Sequence, residues 1–426
     1  MANRRMTPPA TNSVSIPPAQ DRSPTLGESS LVEKIAHAWV CVAAAIYVFD
    51  LVFVFGAHLS TPGGRALGED FINYYAGAWL AWHGHAANAY NTSTYHAFLE
   101  SIAGPTVGAY VYIYSPLAMV LSGPFAALPY VPALVAWLGA SWYSFYRALR
   151  LAMPGRNVLL LALATPALLV NARMGQNGAW TAALIGGGLC LLDRRPILAG
   201  ILFGLQIYKP QFGLLIPVAL LAGRHWRALF AAGVTAMLLV ATSVALFGLE
   251  IWGEFDHLAL GLPQRLLVET SRFYGAPSVL MLARSLGADA SVAYLLQGAS
   301  ALIAAAVVAV AFFRKAPAPI RNALLVLGTF LSTPYVVDYD LVMGAFAAAW
   351  LTDRTVMPPA LMRLAIAAAG LVLLAAIMEP NLGPLIGVQV GPLFFIPAFV
   401  LAAYLVPWHV ATRSIVDNEL LGEPTR

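Results

Sequence analysis

Four short groups of polar residues interrupt an otherwise apolar chain, and each carries side chains able to move a proton or hold an anion. Glu69-Asp70-Phe71, followed by Tyr74, Tyr75, Trp79 and Trp82, sets an acidic pair at the head of an aromatic stretch. A carboxylate there can act as a general base, with the rings as a platform for a sugar or a lipid. The same carboxylates would suit a helix N-terminus, where the backbone dipole favours negative charge, and the rings an interfacial belt. On position alone this second reading carries at least equal weight.

The second group is Arg173-Met174-Gly175-Gln176-Asn177 and the third Tyr208-Lys209-Pro210-Gln211, both expected at tight turns between apolar runs. A cation at membrane depth is costly without an anionic partner, and a phosphate would satisfy both Arg173 and Lys209. Pairing with Asp70, Asp338 or Asp340, or reaching to the interface, is the alternative. For Lys209 the phosphate reading leads; for Arg173 the two stand level. The fourth group, Ser332 to Asp340, places Asp338, Tyr339 and Asp340 in an apolar region. Acids there are functional candidates, but a spacing of two does not put both on one helical face. Asp50, inside the first apolar run, reads as a buried hydrogen-bonding residue. No metal triad, nucleophile elbow, phosphate-binding loop or dinucleotide fingerprint is evident.

These groups are held in a chain of 426 residues that is 60% hydrophobic and only 10% charged, with a mean hydropathy of +0.74. Soluble domains carry about 25% charged residues, so water is not the solvent for most of this surface. The net charge of +4 is spread in small clusters, without the basic face that nucleic-acid binding needs. Cys41 and Cys190 both lie in apolar runs, where a thiol behaves as a small hydrophobe, so neither a disulfide framework nor a metal site is implied. The fold class expected is an all-α polytopic membrane protein.

Basic residues in short loops set the orientation. Arg4, Arg5, Arg22 and Lys34 precede the first span and place the N-terminus in the cytoplasm. The clusters at Arg147/Arg150/Arg156, Arg194/Arg195, Arg224/Arg227, Arg314/Lys315/Arg321, Arg354/Arg363 and Arg413 then all fall inside, provided Pro116 to Leu128 does not cross. That run is shorter than the roughly 20 residues a span needs and is interrupted at Gly123-Pro124. About twelve spans result, near 35–57, 131–149, 157–171, 178–192, 196–209, 211–223, 228–248, 291–313, 320–333, 339–351, 360–378 and 393–408. Residues 1–30, rich in Pro and Ser, are expected to be a disordered cytoplasmic segment, 31–410 a single transmembrane domain, and 411–426 a cytoplasmic tail. Two long outer loops, 58–130 and 248–290, are where function should concentrate.

The polar groups, taken in order, resemble the pattern of glycosyltransferase family 87. The pieces are Asp70-Phe71 with Tyr74-Tyr75; Tyr112-Ile113-Tyr114-Ser115-Pro116-Leu117, leading to Pro124 and Leu128-Pro129; Gly175-Gln176-Asn177; Ala199-Gly200 through Lys209-Pro210; Arg224 to Arg227; and Ser332 to Asp340. The resemblance implies a fold of the GT-C class, a bundle of membrane helices whose large first outer loop bears juxtamembrane helices and an acid near its start, a place that Asp70 matches. It also implies a polyprenyl-phosphate sugar donor, a hexose such as mannose, with no cofactor and no bound metal. Glu69 stands where the family pattern has a generic small or acidic residue, so either Glu69 or Asp70 could be the acting carboxylate.

The expected function is therefore inverting, metal-independent hexosyl transfer to an unidentified glycan or lipid acceptor on the outer face of the plasma membrane. Asp70 or Glu69 would be catalytic and Lys209 and Arg173 would hold the donor phosphate. Tyr74, Tyr75, Tyr114, Gln176, Asn177, Asp338 and Asp340 would bind substrate. The alternative is a transporter or flippase of a lipid-linked or small polar substrate, against which the concentration of polar groups on one side counts.

Overall fold

The computed structural model describes residues 31–56, 58–260 and 274–407. The expectations for residues 1–30 and for the tail from 411 to 426, together with the part of the expected second outer loop from 261 to 273, lie outside the described residues. Among the described residues the secondary structure is helical, apart from an isolated bridge between Ser60 and Ala66.

Helix α1 (Leu31–Phe49) runs on through a π-helical turn, Asp50–Phe55, so that Asp50 falls where the helix widens. The first outer loop then folds into α2 (Phe71–Trp82), a 3-10 turn (Ala86–Tyr90) and α3 (Thr92–Ala103). Asn91 caps α3 by accepting a hydrogen bond from the Thr94 backbone N–H at 3.2 Å. The run expected not to cross by itself forms α4 (Pro116–Ala126), set at 110° to α5 (Tyr130–Ala152). An aromatic core joins α2 to this pair: the Phe71 ring packs on Tyr130 and Trp137 at 5.6 and 5.9 Å.

Proline then sets the rhythm. Helix α6 (Leu159–Ala164) ends at Thr165, and Pro166 opens α7 (Pro166–Arg173). Pro196 opens α9 (Pro196–Leu205) after α8 (Gly178–Leu191), and Pro210 opens the one-turn α10 (Pro210–Gly213) ahead of α11 (Leu215–Ala222). Proline fits the first helical position because its missing N–H would be unpaired there anyway, and it drives the residue before it out of the α region. Thr165 is accordingly extended (φ −64°, ψ 112°), and Lys209 has left the helix at φ −132°, ψ 72°. The chain continues through α12 (Trp226–Phe247), α13 (Glu250–Phe255), α14 (Val279–Ser285), α15 (Ala290–Phe313) and α16 (Ala318–Ser332). A 3-10 turn, Asp338–Met343, leads into α17 (Gly344–Leu351), and α18 (Met362–Ile386) and α19 (Gly391–Tyr404) close the described chain.

Among the described residues the twelve expected spans are not all continuous helices of spanning length. Four helical stretches among the described residues are long and apolar enough to cross a membrane by length and composition: Leu31–Phe55, Trp226–Phe247, Ala290–Phe313 and Pro359–Ile386. The bent pair α4 and α5 makes up to five. Most of the shorter expected spans correspond to helices of 10 to 17 residues, the run 157–171 is broken at Thr165-Pro166, the turn expected at Lys209-Pro210 parts two others, and 339–351 is a 3-10 turn leading into a short helix. Such breaks expose backbone groups that lipid cannot satisfy, so they are tolerated where they face protein or a polar cavity. The molecule is a membrane-embedded helical protein, and its helix breaks are where its polar residues gather.

Candidate active site

Each break delivers one part of the site. Gly68 and Glu69 both take positive φ (73° and 33°), turning the chain so that α2 begins with Asp70 at its N-cap. Asp70 does not use its side chain to cap that helix. Its Oδ2 accepts a hydrogen bond from Gln176 Nε2 at 2.8 Å, while its backbone N–H donates to the Met174 carbonyl at 3.1 Å. The helix-cap alternative for this carboxylate is thus not what the fold does with it.

Gln176 and Asn177 sit in the turn between α7 and α8. Gly175 turns there with φ 57°, and a Cβ on it would lie 2.4 Å from the Gly68 carbonyl oxygen. Gly178 opens α8 against the 3-10 turn that carries the two aspartates, where a Cβ would lie 1.9 Å from the Tyr339 carbonyl oxygen. Glycine at these two positions is what lets the Gln-Asn pair wedge between α2 and the Asp338–Met343 turn. Gly178→Ala is therefore expected to cost about 1–3 kcal/mol through overpacking, read as a lowered unfolding temperature of the purified protein.

From that turn a chain of donors runs in one direction. Lys209 Nζ donates to Asn177 Oδ1 (3.2 Å), Asn177 Nδ2 to the Tyr74 hydroxyl (2.7 Å), and that hydroxyl to Gln176 Oε1 (3.1 Å). Gln176 Nε2 completes it onto Asp70 and also donates to the Tyr114 hydroxyl at 3.2 Å. Lys209 forms its ion pair with Asp340, whose other oxygen accepts from the Val337 backbone N–H at 3.2 Å. Tyr74, Gln176, Asn177 and Asp340 are all buried to within 1% of full enclosure, while Asp70 keeps partial exposure. With an ammonium at one end and a carboxylate at the other, every amide and hydroxyl dipole between them is aligned, and such bonds polarise one another in a low dielectric. Burial raises the Asp70 carboxyl above the ordinary carboxylate range, while the Gln176 hydrogen bond and the Lys209 charge pull it back down.

The structure thus brings together Asp70, Tyr74, Tyr114, Gln176, Asn177, Lys209 and Asp340 of the residues expected from sequence. It does not bring in the others. Arg173 Nε hydrogen-bonds Asp50 Oδ2 at 2.6 Å, and Arg65 bridges Asp50 (3.6 Å) and Glu69 (3.2 Å). Arg173 and Glu69 therefore belong to a neighbouring ion cluster at the end of the first span. The hydroxyl of Tyr75 is spent on the Leu128 carbonyl at 3.0 Å, with its ring edge-on to Tyr130. Asp338 faces the buried Glu379, whose partner is Gln389, because a separation of two on a 3-10 turn points it away from Asp340.

Sequence reasoning missed several members. Tyr339 and Phe212 offer ring faces to the Lys209 ammonium at 5.1 and 4.8 Å. Trp137 stacks on Tyr74 at 5.1 Å and donates its indole N–H to the Gly175 carbonyl at 3.1 Å. Tyr208 hydrogen-bonds Thr181 at 2.9 Å. Of these only Tyr208 and Tyr339 carried a signal, by adjacency to Lys209 and Asp340. Beside the network an apolar cavity of about 170 Å3 is walled by Tyr74, Leu121, Phe125, Trp180, Leu205 and Tyr208. Among the described residues no three His, Cys, Asp or Glu side chains come together as metal ligands.

A family model, glycosyltransferase family 87, matches residues 112–334, just over half of the chain. The chain belongs to glycosyltransferase family 87. It is a membrane-embedded glycosyltransferase, and the transporter alternative falls away. No curated protein and no solved structure matches the chain. The family 87 stretch includes Tyr114, Gln176, Asn177 and Lys209, whereas Asp70 lies before it and Asp340 after it. Those two acids are joined to the family segment by the hydrogen bonds and the ion pair described above.

Proposed function

We propose that this family 87 enzyme transfers a hexose, mannose being the first to test, from a polyprenyl-phosphate donor to a hydroxyl acceptor, with inversion and without a metal. The site would face the outer side of the plasma membrane, with both termini in the cytoplasm, as the distribution of basic loops indicates. The helix breaks fit a bundle of the GT-C class whose shorter elements are half-spans or re-entrant. The observation that carries the reading is the aligned hydrogen-bond chain linking the Asp70 carboxylate to the Lys209 ammonium.

In the proposed step the acceptor oxygen attacks the anomeric carbon, its proton passes to Asp70, and the bond from that carbon to the phosphate oxygen breaks with its electrons leaving on the lipid phosphate. Asp70 has one oxygen held by Gln176, which leaves the other for that proton. Lys209 commits two of its three N–H donors, to Asn177 and Asp340, leaving the third for a phosphate oxygen whose charge grows as the bond breaks. Tyr114 and Asn177 would orient sugar hydroxyls. The apolar cavity beside Tyr74 suits the first part of an isoprenoid tail.

The test is direct. Purified protein in liposomes with radiolabelled polyprenyl-phosphomannose and a membrane lipid extract should move label to an acceptor, whereas a nucleotide-activated mannose should not serve. Transfer from the nucleotide sugar alone would overturn the donor assignment.

A pH profile follows from the same carboxylate. Asp70 must be ionised to accept a proton, so activity is present above its pKa and lost as pH falls through it. Because that pKa is raised, the acid limb of kcat/KM should lie above the ordinary carboxylate range. Gln176→Leu removes a hydrogen bond that favours the ionised form, so the limb should move to still higher pH. A limb that stays in place would separate Asp70 from the rate-determining proton transfer.

A further inference from the structure

A second and larger cavity, of about 850 Å3, lies between α5, α8 and α9. Its rim carries Arg147, Arg150 and Arg156, and its floor is formed by Ala183, Leu184, Gly187, Leu191 and Leu202. The rim stands far from the active site. Trp137, which contacts the Gly175 and Gln176 carbonyls, and Arg150 are separated by 13 residues of the same helix, about 20 Å of rise. The basic-loop assignment puts these arginines on the cytoplasmic side, opposite the face proposed for Asp70 and Lys209.

Their surroundings set them apart from the cations of the active site and of the ion cluster beside it. Lys209, Arg65 and Arg173 all pair with carboxylates. Among the described residues none of Arg147, Arg150 and Arg156 lies within ion-pair distance of one. Arg147 instead donates to the Tyr143 hydroxyl at 2.9 Å, and Arg150 lies over the Tyr146 ring at 5.9 Å. All three are exposed. A cationic rim without counter-charge above an apolar floor has the shape and polarity of an anionic phospholipid seen from outside. Guanidinium groups are weakly hydrated and match phosphate geometry in pairs of hydrogen bonds. A soluble phosphate would use the rim and leave the apolar floor empty.

We propose that this groove binds one anionic phospholipid from the leaflet opposite the active site, its phosphate on Arg147, Arg150 and Arg156 and an acyl chain along Gly187, Leu191 and Leu202. Trp180 and Leu184 wall both this groove and the smaller cavity beside Tyr74, so the seated acyl chain abuts the back of the active site. The proposal rests on the membrane-embedded fold and stands apart from the identity of the sugar donor.

Delipidated full-length protein in detergent, titrated with dioleoyl-phosphatidylglycerol or dioleoyl-phosphatidylcholine and read by native mass spectrometry, should retain one phosphatidylglycerol and no phosphatidylcholine. The triple variant R147Q/R150Q/R156Q should bind phosphatidylglycerol about 100-fold more weakly, since each basic residue contributes about fivefold toward an anionic lipid. Gly187→Leu should lose the lipid with the arginines intact, because it fills the floor. Gly187→Ala should keep it, since its Cβ meets only Ala148 and Leu202 at 3.4 and 3.6 Å, ordinary contact distances. Equal retention of both lipids, unchanged binding by the triple variant, or full displacement of phosphatidylglycerol by millimolar inorganic phosphate would each overturn the proposal. Should Gly187→Leu fail to fold, the three exposed arginines decide the matter alone.

Discussion

Replacing Asp70 by Asn should lower the rate of sugar transfer by about 10²–10⁴, the usual worth of a positioned general base, without unfolding the protein. Asparagine keeps a carbonyl oxygen where Gln176 Nε2 now donates at 2.8 Å, so the bond to Tyr74 and the seating of α2 against the Gly175 turn survive. What is lost is the oxygen able to take a proton. Glu69→Gln is the informative comparison, because that side chain pairs with Arg65 outside the hydrogen-bond chain. It should cost less than tenfold. Transfer rates measured side by side in liposomes, with unfolding temperatures as the control for folding, decide between the two carboxylates. A nearly active Asp70→Asn protein beside an inactive Glu69→Gln one would reverse the roles proposed for them.

The membrane class was legible because 60% apolar residues and so few charges leave no alternative solvent. Asp70, Lys209, Gln176 and Asn177 were legible because polar residues in apolar surroundings are costly and must be used. Which polar residue meets which was not legible. Arg173 and Lys209 both stand near turns as candidate phosphate ligands, Lys209 the better one, yet Arg173 is claimed by Asp50, 123 positions away, a pairing only the tertiary fold reveals. Asp338 and Asp340 were not expected on one helical face, and the 3-10 turn sends Asp338 toward Glu379 and Asp340 onto Lys209, partners that the spacing could not name. Hydropathy does not show where a span is a continuous helix, for a local reason. It sees one apolar run over 157–171, whereas the backbone breaks at Thr165-Pro166 as it does at the expected Lys209-Pro210 turn.

Those breaks make the second large effect testable. Pro210 forces Lys209 out of the helix, and its ammonium is then held by Asp340, which is fully buried, and by Asn177. Lys209→Met alone would mix two consequences, since it strands a buried carboxylate, at about 3–5 kcal/mol, and also removes the phosphate's counter-charge. Adding Asp340→Asn separates them. The double variant K209M/D340N should recover most of the lost unfolding temperature, because no unpaired charge remains in the core. Its transfer rate should nonetheless stay about 10²–10³ below wild type, the usual cost of deleting one preorganised group that stabilises developing charge. The proposed phosphate role thus predicts stability without activity. If activity returned along with stability, Lys209 and Asp340 would be a fold-holding ion pair joining α10 to the Asp338–Met343 turn, and the phosphate would have to be held elsewhere.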